Sequence, residues 1–281
     1  MSELALGARI GRYTLVRRIG EGGMGVVYEC TQDGSTQAVA VKLLRPELAQ
    51  NDGYRRRFQH EVRAAGEVGH PGLVPIVDAG EADGYHYLAR PFVGSRTLKA
   101  LIRAEGRVRL ERALAIAERL GSALDAVHER GLVHRDIKSS NILLADEDGS
   151  PMLSDFGVAK GAGYTVLTRT GLMVGTLDYL APELIRGEPA SPASDVYAFA
   201  CLLYECLAGA PPFSSRSMFE IGYAHLKDTP PPLHGRVPGV SAELDRALLR
   251  GLEKEPGRRP HLAGAYAGMV RIVNRHYGEA A

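Results

Sequence analysis

The eight residues His134 to Asn141, His-Arg-Asp-Ile-Lys-Ser-Ser-Asn, constrain this chain more than any other stretch. They follow an amphipathic helical pattern, with apolar residues at Leu110, Ala113, Leu114, Ala117, Leu120, Leu124 and Val127. They precede the apolar run Ile142-Leu143-Leu144, so the octet reads as a loop pinned between a buried helix and a short strand. Charge held there costs free energy unless it meets a partner. One kind of ligand would satisfy Asp136, Lys138 and Asn141 together: a phosphate chain carrying a metal ion. The aspartate would accept a hydroxyl proton, the lysine would neutralise a phosphoryl oxygen, and the asparagine would offer its carbonyl oxygen to Mg²⁺. The alternative is a plain polar turn.

The 281 residues suffice for one large core or two smaller lobes, and 45% hydrophobic with 24% charged residues is the balance of a soluble globular protein. A net charge of +1 gives no electrostatic reason to expect nucleic acid or an anionic membrane as the main partner. Cys30, Cys201 and Cys206 are odd in number and lack Cys-x-x-Cys spacing, which reads as reduced thiols in a cytosolic compartment. No run reaches the roughly 18 apolar residues that span a bilayer. The amino terminus lacks a signal pattern, and no internal repeat is present.

Along the chain, Tyr13 to Thr31 reads as two strands around Gly20-Glu21-Gly22-Gly23-Met24-Gly25. Glycines there admit a phosphate close to the backbone. Because a strand follows and not a helix, the pattern favours a hairpin folded over a nucleotide rather than a Rossmann site. Ala38 to Lys42 alternates with period two, placing Ala40 and Lys42 on one face; the bland reading of Lys42 is the end of an edge strand. Tyr54 to Val68 is helical in pattern, with Glu61 on the buried stripe of Phe58, Val62 and Ala65, where Lys42 is its natural cation. Leu73 to Val77 and Tyr85 to Ala89 read as two more strands, which predicts a five-stranded, mostly antiparallel sheet with one helix. Gly94-Ser95 marks the crossing into a helical region, with further helices expected at Ala193 to Ala208, Ser217 to Lys227, Ser241 to Leu252 and Leu262 to Val273.

With these motifs in order, the chain resembles the eukaryotic-like (Hanks-type) serine/threonine protein kinases, most closely the bacterial ones, from Tyr13 to about Val273. The resemblance implies an α+β, two-lobed fold: residues 1–92 a small antiparallel β-sheet lobe with one main helix, residues 93–281 a larger, mainly helical lobe. It implies an enzyme that moves the γ-phosphoryl group of ATP to Ser/Thr hydroxyls of proteins, with Mg²⁺, or Mn²⁺ in its place. The nucleotide would be held by Ile19, Gly20, Glu21, Gly22, Gly23, Met24, Gly25 and Val27, by Ala40 and Leu143, and by Pro91 and Val93 at the hinge. Lys42 would steady the α and β phosphates with Glu61 as its helix partner. Asp136 would be the catalytic aspartate and Lys138 its companion, with Asn141 and Asp155 of Asp155-Phe156-Gly157 as metal ligands. Ala181-Pro182-Glu183 would close the activation segment, residues 155–183, with Glu183 paired to Arg259. Asp195 would brace the catalytic loop.

Lys138 and Thr176 resemble the serine/threonine branch. Arg135 before the catalytic aspartate resembles kinases switched by activation-loop phosphorylation, with Thr165, Thr168 and Thr170 as candidates and Arg135 and Arg57 as clamps. The bland reading of these threonines is soluble loop. The resemblance also implies protein substrates and self-association for trans-autophosphorylation, with neither nucleic acid nor membrane contact by this segment. It places the segment in the cytoplasm, either by itself or as the kinase domain of a longer membrane-anchored protein.

Several positions depart from the family pattern. Aligned backwards from Thr97-Leu98, Arg90 falls at the gatekeeper position and would need Glu61 or Asp155 as its anion; a one-residue slip puts Ala89 there and sends Arg90 to solvent. Ser139 and Leu177 replace prolines, and Ala200 replaces a helix glycine. A pseudokinase scaffold is the rival reading, and a small-molecule kinase is disfavoured by the Gly175-Thr176 and Ala181-Pro182-Glu183 segments.

Overall fold

The computed structural model describes residues 4–22, 25–45, 62–155, 177–214 and 217–277. Its first part is an antiparallel sheet of six strands: β1 (Arg9–Ile10), β2 (Tyr13–Gly22), β3 (Gly25–Gln32), β4 (Ala38–Leu44), β5 (Asp78–Ala82) and β6 (Tyr85–Pro91). Their order across the sheet is β1-β2-β3-β4-β6-β5, every neighbour antiparallel. Alternation sorts the side chains. Val39, Val41 and Leu43 join Tyr13, Leu15, Tyr28, Cys30 and Ala89 in a core on one face, which leaves Ala40 and Lys42 on the other. Gly25 begins β3 against the β4 backbone: a Cβ there would lie 1.9 Å from the Leu43 carbonyl oxygen, so only glycine permits this close pairing.

Two details differ from the five strands expected. A sixth, two-residue strand, β1, pairs with β2. The segment expected as a strand at Leu73 to Val77 makes only a bridge, Leu73 to Leu153, because Leu73 and Val74 are buried and the Val74 amide donates to the Leu153 carbonyl at 3.0 Å. The strand lies just beyond, at β5. It turns into β6 through Asp83-Gly84, at φ 51° and 78°, both left-handed as a two-residue hairpin turn requires. The Asp-Gly pair was the signal to follow. Of the helix expected from Tyr54 to Val68, residues 62–66 are helical with Val62 and Ala65 buried, while Glu61, Arg57 and Phe58 lie outside the described residues.

The second part is helical: α1 (Leu98–Glu105), α2 (Leu110–Glu129), α3 (Pro182–Ile185), α4 (Pro192–Ala208), α5 (Met218–Lys227), α6 (Ala242–Leu249) and α7 (Ala263–Tyr277). A short hairpin, β7 (Ile142–Leu144) with β8 (Pro151–Leu153), carries the segments that face the sheet. Caps fix the helix starts: Thr97 accepts from the Ala100 amide, Ser217 and Glu220 form a capping box, and Ser241 accepts from the Leu244 amide. α2 and α4 run through the centre of a second core, which also takes in Val68 and Leu73 from ahead of the sheet's last hairpin. Ala200 is explained by its neighbour. It packs on Gly251, where a Cβ would come within 2.5 Å of the Ala200 Cβ, so the small residue of the pair sits on the other partner.

Candidate active site

α2 delivers the chain into the polar octet and β7 takes it away, as the hydrophobic pattern requires. Asp136 and Lys138 meet at 3.0 Å, both largely buried. The Asn141 amide nitrogen donates to the Asp136 carboxylate and carbonyl, each at 2.8 Å. That fixes the amide and leaves the Asn141 side-chain carbonyl oxygen as the atom that could take a hard cation. The Ser154 amide and hydroxyl both donate to the Asn141 backbone carbonyl, at 2.9 Å each, tying the octet to the segment that ends in Asp155.

Asp155 faces the sheet. Its Oδ1 lies 3.1 Å from Lys42 Nζ and 3.2 Å from Arg90 Nη1, and its Oδ2 accepts from Arg90 Nη2 at 3.3 Å. Burial alone would raise this carboxyl, but Arg90 and then Lys42 hold it well below the usual carboxylate range. Asp155 is therefore charged at neutral pH and sits in the left-handed region at φ 58°. Lys42 thus points into the cleft; it does not merely end an edge strand. Arg90 is opposite Ala40 in the β4–β6 register and is 7% exposed, whereas Ala89 belongs to the core on the far face. The slip that sends Arg90 to solvent is excluded, and Arg90 holds the inward gatekeeper position.

The octet is braced from below by Asp195 at the start of α4. Its carboxylate accepts from the His134 amide (2.7 Å), the Arg135 amide (2.9 Å) and His128 Nε2 (2.9 Å). Arg135 itself has φ 65°, a left-handed backbone for a bulky residue, held in place by that bond. Glu183 and Arg259 form a bidentate pair at 2.7 and 2.8 Å. Arg259 also donates to the carbonyls of Ala193, Glu253 and Lys254.

His128, Tyr179 and Glu205 are given no role by any sequence motif, and Ser139 stands out only as a departure from the family pattern. Ser139, the residue in place of a proline, is fully buried and donates to Glu205 at 3.0 Å, while Tyr179 donates to the other Glu205 oxygen at 2.5 Å. Burial raises the carboxyl of Glu205 and the phenol of Tyr179, and the knot ties the octet to the segment leading into α3. A carboxylate inside the apolar helix Pro192–Ala208 was the available signal. Leu177, the other replaced proline, is simply buried.

Of the remaining expected residues, Ile19, Val27, Pro91, Val93 and Leu143 are half-buried and Ala40 is buried. Val93 accepts the Asp146 amide at 3.0 Å through its carbonyl. Gly20 pairs with Val27 and Gly22 with Gly25, and Glu21 meets Arg45 at 3.1 Å. Gly23, Met24, Thr165, Thr168, Thr170 and Thr176 lie outside the described residues. No three His, Cys, Asp or Glu side chains among the described residues could hold a metal by themselves. The oxygen donors of Asn141 and Asp155 fit instead a hard cation shared with a ligand's phosphates.

A small antiparallel lobe over a larger helical one, with charged residues from both meeting in the cleft, is the protein-kinase fold. Residues 13–266 match the protein kinase domain family, and the chain belongs to it. Members of that family use ATP and a divalent metal. The chain is 40% identical over 263 residues to the serine/threonine-protein kinase PknD of Mycobacterium tuberculosis, covering 93% of this chain and 40% of that protein. It is also 40% identical over 253 residues to PknE of Mycobacterium bovis, covering 90% and 44%. It therefore spans less than half the length of these curated relatives. The crystal structure of the M. tuberculosis PknI kinase domain superposes with a TM-score of 0.78 at 31% identity, covering 96% of this chain and 99% of that one. Among the described residues no helix is long and apolar enough to cross a membrane.

Proposed function

We propose that this chain is the catalytic domain of a protein serine/threonine kinase. The observation that carries the reading is the joint placement of Asp136, Lys138 and Asn141 within hydrogen-bonding reach, on a loop tied through Ser154 to Asp155. In phosphoryl transfer a protein contributes chiefly position and charge. Asp136 orients the substrate hydroxyl and takes its proton as the oxygen–phosphorus bond forms and the bond to the β-phosphate oxygen breaks. Lys138 and Lys42 neutralise phosphate oxygens on the two sides of the cleft. Asn141 and Asp155 would hold the cation, Mg²⁺ or Mn²⁺, which supplies charge for the phosphate chain. A sheet core drawn from Ile10 to Ala89 supports a lobe boundary near residues 92 and 93, with Val68 and Leu73 crossing it to pack into the helical core.

Asp136→Asn tests the assignment. Transfer of labelled phosphate to a protein acceptor should fall about 10²- to 10⁴-fold while nucleotide binding persists; near-normal transfer refutes the role. The Arg90 contact with Asp155 gives a nucleotide-binding scaffold its one supporting observation. That rival wins if the wild-type chain binds nucleotide and labels no acceptor.

Regulation by phosphorylation of Thr165, Thr168 or Thr170, clamped by Arg135 and acquired between self-associated copies, belongs to the same proposal. Mass spectrometry after incubation with Mg-ATP decides it, and an unmodified loop in an active enzyme contradicts it. A reducing, cytoplasmic setting is consistent with three free, buried cysteines; burial pushes the Cys30 thiol up to about 12 and the other two higher.

A further inference from the structure

Two arginine–carboxylate forks in this protein, one fully buried and one half-buried on its carboxylate side, differ in a way that separates a permanent brace from a breakable one. Arg259 and Glu183 meet at 2.7 and 2.8 Å, both side chains at most 3% exposed, and Arg259 places its remaining donors on three carbonyls. Arg90 and Asp155 meet at 3.2 and 3.3 Å, at the long edge of charge-assisted bonding, and among the described residues the buried Arg90 Nε has no hydrogen-bond partner. The Arg90 fork lies across the oxygens a metal would need. Oδ1 faces both Arg90 and Lys42, and Oδ2 faces Arg90 and the Ser154 hydroxyl at 3.4 Å. A divalent cation must approach a carboxylate oxygen to about 2.0–2.1 Å, and two positive groups already packed there repel it.

We propose that Arg90 is an internal counter-ion for Asp155 that competes with the metal for the same carboxylate, so that metal–nucleotide loading requires the guanidinium to release it. The inference rests on reading Asp155 as a metal ligand. Its strand position fixes Arg90 at this point: Ala40 opposite has a side chain too small to displace it, and the face it shares with Lys42 is the cleft face. With Arg90 present the enzyme needs more metal to bind nucleotide than its ligand set alone would demand. Its Nε, without a partner among the described residues, gives the released guanidinium a further donor for phosphate oxygens.

The test is a direct binding titration. N-methylanthraniloyl-ADP is held at fixed concentration, Mg²⁺ is varied, and fluorescence reports occupancy of wild type, Arg90→Met and Arg90→Gln. Both variants should reach half-maximal binding at about tenfold lower Mg²⁺, a shift of about 1.4 kcal/mol. An unchanged or higher requirement overturns the proposal. Far-UV circular dichroism checks folding, and if the methionine variant does not fold the glutamine variant, which keeps polar volume without charge, decides alone; should neither fold, Arg90 is structural and the proposal fails. Asp155→Asn separates the two layers of argument. If it leaves the Mg²⁺ dependence of wild-type binding intact, the metal-ligand reading falls. If it abolishes that dependence while Arg90→Met leaves it unmoved, only the counter-ion proposal falls.

Discussion

Asp195→Asn keeps the shape of the side chain and replaces one acceptor oxygen with an amide that only donates. In the native site Oδ2 accepts from the His134 amide at 2.7 Å and from His128 at 2.9 Å, and Oδ1 accepts from the Arg135 amide at 2.9 Å. The better of the two asparagine orientations keeps the pair at Oδ2 and turns the new amide against the Arg135 N–H, leaving that donor unmet. A lost bond to a charged group is worth about 1.5–3 kcal/mol, and the surviving bonds fall to neutral strength, so about 2–4 kcal/mol should go in total. For a chain of this size that corresponds to a Tm lower by about 3–7 °C.

Function should follow by a specific route. Arg135 is held in a left-handed backbone that costs a non-glycine residue roughly 1–2 kcal/mol, and the Asp195 bond to its amide helps to hold it. Once the bond is gone the strain relaxes into the next residue, Asp136. Displacement of a reacting group by about 1 Å costs on the order of 10²-fold in rate. Phosphate transfer should therefore drop by about that factor, while affinity for nucleotide should change little. Thermal unfolding and a labelled-phosphate assay measure the two effects. A variant with native Tm and native rate would refute the bracing argument, and a loss of nucleotide affinity equal to the loss of rate would show that the effect is not local.

Two further outcomes follow from buried charge. Arg259→Ala strands Glu183 at 3% exposure together with three carbonyls, and should cost at least about 3–5 kcal/mol in denaturant unfolding; a loss below about 1 kcal/mol, the range of surface pairs, would contradict it. His225 is buried with Nδ1 2.8 Å from the Tyr197 hydroxyl, and burial, helped by Lys254, pushes its imidazole down from 6.5 to about 3. The unfolded chain then binds the proton first, so the folded state is fully favoured above pH 6.5 and loses stability as pH falls towards about 3. Between pH 7 and 5 the wild type should lose about 2 kcal/mol more than His225→Gln in urea unfolding. Parallel pH profiles for the two proteins would rule out that titration.

What the residues themselves dictated was the kind of element and the chemistry it carries. Period two through Ala38 to Lys42, period 3.6 through Leu110 to Val127, and serine caps at Ser217 and Ser241 act over a few residues, where backbone geometry and side-chain spacing suffice. The polar octet was legible for the same reason, since charge between two apolar segments announces that something must satisfy it. The choice of partners was made only by the folded chain. The apolar residues around Leu73 suggest a strand, but Leu73 pairs with Leu153 across the boundary between the sheet and the helices. The Ser139, Tyr179 and Glu205 knot joins residues far apart in sequence, and no local pattern encodes that meeting. Arg90 is the clearest case. Alignment left it one residue away from solvent, and the antiparallel register opposite Ala40 turned its guanidinium inward onto Asp155. A side chain's face is set by long-range strand pairing, because a slip of one position reverses every residue along the strand.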